Sequence, residues 1–213
     1  MNNKGFTLIE LMAVFVVLGV LLGVTIPNIV GITTANKQQT YADDAKKFKN
    51  AVEYRFRGDS TIEKPTNNND CIIANLKYVA GSEYDNPPYG GVYLMDYSYV
   101  IMAKKNNEYK YYVQLVEGIK PNPSGANYNA KYCQEEGCRG IKLDLITKLD
   151  GEKYQNEIDE ATSISYFTPS LADIKTKTTE AQLTAYYATL ANTIKDEDGN
   201  KVCNVVKRVY YEG

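Results

Sequence analysis

The sequence contains no histidine and no tryptophan. Without an imidazole, neither a Ser-His-Asp nor a Cys-His nucleophile can be assembled, and histidine metal sites are excluded. A glycine-rich phosphate loop, a nucleophile elbow and a metal-binding helix are also missing. The chain therefore reads as a non-enzyme with no cofactor and no metal. Net charge is scarce too, at −2, which gives no electrostatic case for nucleic acid. Internal repeats and long low-complexity segments do not occur. What is present is 213 residues, 44% of them hydrophobic, enough for one anchoring helix and one compact domain. The 19 tyrosines suit half-buried sheet faces and interfaces, because the ring is apolar and its tip is wet.

The most informative absence is local. From Leu11 to Ile32 no residue is charged. As a helix rising about 1.5 Å per residue this run is roughly 33 Å long, enough for a bilayer core. A short polar leader with Lys4 precedes it, and the next Lys or Arg is Lys37. That asymmetry keeps the N-terminus in the cytoplasm and sends the rest outside. An ordinary secretory signal does not fit: the run is too long and ends in no Ala-x-Ala-like site. A plain signal anchor leaves Glu10 unexplained. A carboxylate in a membrane helix costs about 2.5–3.5 kcal/mol or more, so an intramembrane acid is a functional residue by default.

Glu10 lies within Gly5-Phe6-Thr7-Leu8-Ile9-Glu10. A short basic leader ending in Gly, then Phe, then Thr-Leu-Ile-Glu and a long apolar helix, resembles the class III leader of type IV prepilins and pseudopilins. The resemblance covers about the first 35 residues and includes Pro27, where the family commonly has a helix-bending proline. It implies cleavage after Gly5 and N-methylation of Phe6 by a prepilin peptidase and N-methyltransferase. It implies a Glu10 that pairs with the N-terminal amine of a neighbouring subunit. The partners implied are further copies of the chain, other pilins and an inner-membrane assembly platform. The implied location is the cell membrane, single-pass with the head outside, and then an extracellular filament for adhesion or twitching motility. A minor pilin, a pseudopilin of a secretion or DNA-uptake machine, and a membrane-anchored binding protein that never polymerises are the alternatives.

The expected architecture is α+β and pilin-like: a lollipop whose long N-terminal helix packs on an antiparallel head with an extra helix. Residues 1–5 form the leader, 6–32 the transmembrane and filament-core half of the helix, 33–57 its amphipathic half, and 58–213 the head. Tyr41, Ala45, Phe48, Val52 and Phe56 recur on one helix face, and Gly58 is a natural stop. Lys46, Lys47, Lys49, Arg55 and Arg57 read as a solvated face or a subunit contact, because acids are interleaved. Residues 71–79 read as a short strand or helix. Val92–Ala103 and Tyr109–Val116 read as strands around the turn Lys104–Glu108. Residues 118–140 look loop-like, and Ile141–Leu149 is ambiguous. Thr179 is placed to cap a helix to about Ile194, and Lys201–Tyr211 reads as a last strand.

Four cysteines allow three pairings. Cys133 with Cys138 closes a small loop, and Cys71 with Cys203 then ties the start of the head to its last strand. The family resemblance points instead to Cys133 or Cys138 with Cys203. A four-thiolate zinc site lacks a second close pair, and free thiols belong to a reducing setting. Asp196, Asp198 and Asn200 alternate as oxygen ligands, but the spacing departs from a calcium-binding EF-hand loop, and an Asp/Asn/Gly turn is the simpler reading.

Overall fold

The computed structural model of the chain describes residues 7–79, 87–118, 138–149, 159–161, 166–167, 169–196 and 198–212; for 22–34, 148–149 and 159–161 it describes the backbone alone. Two compact units are present, Met1–Lys37 and Gln38–Gly213. Helix α1, Leu8–Gly58, begins in the first and ends in the second. Its backbone stays helical through Pro27. A proline removes one helical hydrogen bond, and a 51-residue helix has many others. The expected stop holds: Gly58 is the last helical residue, and Asp59 N donates to Arg55 O at 3.1 Å.

The second unit is a mixed sheet with a helix on each face. After α1 come β1 (Asp70–Asn75), the single-turn α2 (Leu76–Val79), β2 (Val92–Tyr93), β3 (Tyr99–Lys105), β4 (Glu108–Gly118), β5 (Cys138–Leu145), β6 (Asp159–Ala161), α3 (Glu180–Thr193) and β7 (Val205–Tyr210). Strand order is β6-β5-β4-β3-β1-β7, with β2 paired to β4. The β3–β4 hairpin turns on Asn106 and Asn107, at φ 51° and 68°. A two-residue turn between strands needs that left-handed backbone at both positions, and Asn tolerates it.

Two expectations need correction. Val92–Ala103 is not one strand: the chain turns after β2, with Tyr97 N donating to Leu94 O at 3.0 Å, and β3 starts at Tyr99. Asp96 in this turn pairs with Lys175 at 3.2 Å and accepts from the Tyr211 hydroxyl. The sheet is also not wholly antiparallel. β7 pairs with β1 in parallel, Ile73 opposite Val209. A parallel neighbour needs a crossover rather than a hairpin, and α3 lies within that crossover. Residues 71–79 resolve into both of the forms expected there, strand then helical turn. Ile141–Leu149 resolves into the end of β5 and a 3₁₀ turn.

Strand alternation builds two cores. Ile72, Ala74, Val100, Met102, Val113 and Leu115 face Tyr41, Ala45, Phe48, Val52 and Phe56 of α1. Ile73, Tyr99, Ile101 and Tyr112 face Tyr186, Leu190 and Ala191 of α3. Each fully buried large side chain contributes roughly 1.5–3 kcal/mol. Between β4 and β5 the register slips: Val113 opposes Asp144 but Leu115 opposes Ile141. Lys142 and Leu143 thus share the place opposite Gln114, a β-bulge. It sends Ile141 to the α1 core and Leu143 to the α3 core, although simple alternation would put them on one face.

Candidate functional site

The start of α1 carries the features singled out in the sequence. Glu10 does not stand alone there. Its carboxylate accepts from Thr7 N at 2.9 Å and from the Thr7 hydroxyl at 2.8 Å, and Glu10 N donates back to the Thr7 hydroxyl at 3.4 Å. This is a reciprocal capping box, which satisfies two donors at the helix start. Sequence reasoning missed it, although Thr-x-x-Glu ahead of an apolar run is its signature. Gly5 and Phe6 lie outside the described residues, and of Pro27 only the helical backbone is described.

Beyond Glu10 the described helix is apolar on every side. All described residues from Thr7 to Leu21 are exposed, including Leu8, Ile9, Met12, Phe15, Val16 and Val20, each above 60%. An all-round apolar helix is made for burial in lipid or among other helices, and an exposed apolar surface this long marks an interaction site. Among the described residues no helix is long and apolar enough to cross a membrane; the side chains of 22–34, within the expected span, lie outside that set.

The basic cluster on α1 is used within the second unit. Lys47 pairs with Asp44 at 3.0 Å, and Lys49 and Arg57 both pair with Glu53. The Arg55 guanidinium lies over the Tyr78 ring at 3.9 Å and donates to Tyr78 O.

Cys71 and Cys203 form a disulfide with Cα atoms 5.7 Å apart. It joins the first residues of β1 to the approach of β7, its parallel neighbour. Cys138 is also disulfide-bonded, while Cys133 lies outside the described residues. Among the described residues no cluster of three acids or cysteines is placed to hold a metal. Asp196 turns its carboxylate inward on its own loop, accepting from Asn200 N at 2.7 Å, with Gly199 at φ 81°. This is the Asp/Asn/Gly turn.

Residues 1–26 match the family of the prokaryotic N-terminal methylation motif. That match supports a type IV pilin-like prepilin with a class III leader. The motif points to a structural protein of the pilin or pseudopilin kind rather than an enzyme. No curated protein and no solved structure matches the chain.

Proposed function

We propose that the chain is a structural subunit of a type IV pilus, clipped after Gly5, N-methylated at Phe6, and polymerised through α1 into a surface filament for adhesion or twitching motility. The observation that carries this reading is the all-round exposure of the apolar α1 residues between Leu8 and Leu21, interrupted only by Glu10. Before assembly residues 11–32 span the inner membrane with residues 58–213 outside. In the filament the same surface is buried against neighbouring α1 helices. Apolar helices slide past one another with little preference, so register needs a polar device. Glu10 supplies it by exchanging Thr7 for the new amine on a neighbour's Phe6. Opposite charges in a low-dielectric core attract strongly, and an unpaired carboxylate there is costly. Pro27 lowers the cost of bending the helix as subunits pack.

The expected outcome of Glu10→Val is a protein still cleaved and membrane-inserted but poorly polymerised, read as surface filament yield beside the processed subunit in membranes. Normal filament yield contradicts the pairing. One feature favours a second reading, a minor pilin or pseudopilin: α3 and the segments around it cover the second face of the sheet, an elaboration that a bare filament subunit does not require.

A further inference from the structure

We propose that the two edges of the sheet are complementary docking surfaces between copies of this chain: the basic β7 edge of one copy receives the acidic β6 edge of the next. The proposal deepens the filament reading and rests on it only for what gathers copies together in the cell.

Helices α1 and α3 cover the two faces of the sheet, so its edges are what it has left to present. The strand order puts β6 and β7 at opposite ends, and among the described residues no strand lies beyond either. Their charges are opposite. Residues 201–208, which lead into β7 and form most of it, hold Lys201, Lys207 and Arg208 and no acid. Residues 150–160, which lead into β6, hold five acids, among them Asp159 and Glu160, and one base, Lys153. Either edge alone would suit any partner of opposite charge. A chain that carries both supplies the counterpart itself, and complementary charge both steers copies together and fixes their register.

The β7 edge is open to a partner. Val205, Lys207 and Arg208 are exposed. Lys207 also lines an open groove of about 630 Å³, whose other charged walls are Arg57, Asp59, Glu63 and Lys64. Of the two acids, Asp59 is engaged locally, accepting from Thr61 N at 2.9 Å and from the Thr61 hydroxyl at 2.6 Å. The contact is one of side chains rather than an added strand. Cys71 and Ile72 of β1 stand opposite Val206 and Arg208, so Lys207 is an extra residue in β7, a bulge. A bulge and a lysine keep an edge from extending its ladder into another chain, and both leave the positive charge in place. A contact that uses a different surface on each copy does not stop at a pair; it runs on into a ring or a filament.

A zero-length carbodiimide tests this, because it joins a lysine amine to a carboxylate only where the two touch. The full chain is reconstituted in phosphatidylcholine vesicles, where copies share one surface whether or not they polymerise, with half of the copies labelled by heavy isotope. Mixed-isotope cross-links are expected from Lys64 or Lys207 to Asp159 or Glu160. Their yield is expected to fall on the order of tenfold between about 0.01 M and 1 M salt, as the screening length contracts from about 30 Å to about 3 Å. Lys64→Glu with Arg208→Glu is expected to lower the yield similarly, and mixing that variant with Asp159→Lys, Glu160→Lys copies to restore cross-links between the same two edges. Lys207 stays unaltered in these variants because it pairs with the buried Asp70 at 3.2 Å. Absence of mixed-isotope cross-links between the edges, or a yield indifferent to salt and to the charge swap, overturns the docking and leaves the N-terminal reading untouched.

Discussion

Tyrosine does two opposite things in this fold, and the contrast is measurable. The Tyr41 hydroxyl is buried and donates to Leu115 O at 3.0 Å. The Tyr99 hydroxyl is also buried, facing the α3 core, but has no hydrogen-bond partner among the described residues. Removing a paired buried hydroxyl costs about 1–2 kcal/mol, whereas removing an unpaired one costs nothing or stabilises. Tyr41→Phe should lower the urea midpoint, and Tyr99→Phe should leave it level or raise it. A second expectation concerns pH. Burial, first among the causes, pushes the Tyr41 and Tyr99 hydroxyls well above their usual range. Tyr111 is pushed up to about 12, by burial and then by Glu53. These groups keep their protons in the folded chain and lose them near pH 10 when unfolded. Their contribution is full below about pH 10 and falls as pH rises toward the folded values, by about 1.4 kcal/mol per pH unit for each tyrosine that stays protonated. Urea midpoints from about pH 8 to pH 12 should be level and then drop; a level line throughout contradicts the burial. The tyrosine count suggested sheet faces and interfaces from the sequence. Which hydroxyl finds a partner was not readable, because Leu115 is 74 residues from Tyr41.

Secondary elements were legible where the signal was local. Thr179 caps α3 in a full capping box with Gln182, and Thr179→Ala should cost about 1 kcal/mol, read as a lower urea midpoint with selective loss of exchange protection at the start of α3. An unchanged midpoint would mean that tertiary packing alone holds the helix. The hairpin at Asn106–Asn107 and the apolar stripe of α1 were likewise written into neighbouring residues. Elements set by distant partners were not. The parallel seating of β7 depends on β1 offering a free edge some 130 residues earlier, closed by a disulfide spanning 132 residues. At the split of Val92–Ala103, Asp96 meets Lys175 and Tyr211, which lie far along the chain. The bulge that parts Ile141 from Leu143 is a relation between two strands, and one strand's sequence does not contain it.

Across the whole chain, two units divide the work: a helix start whose described residues from Thr7 to Leu21 are all exposed, and an α+β unit whose sheet is covered on both faces. The first was largely readable, since Gly5-Phe6 and Thr-Leu-Ile-Glu10 are contiguous and each residue type has a physical reason to be there. Its capping role for Glu10 adds a detail: the carboxylate has a local partner in Thr7, so the lone subunit does not hold it unpaired before a neighbour arrives. The second unit's surface has no comparable motif, and the reading of the protein as a filament subunit rests on the N-terminus. The direct test is the intact mass and N-terminal sequence of the protein recovered from membranes of cells containing a prepilin peptidase. The expected product has lost Met1 to Gly5 and begins with Phe6 bearing one methyl group. Recovery of a chain that keeps Met1, with the peptidase active on another prepilin in the same cells, would contradict the proposal at its base.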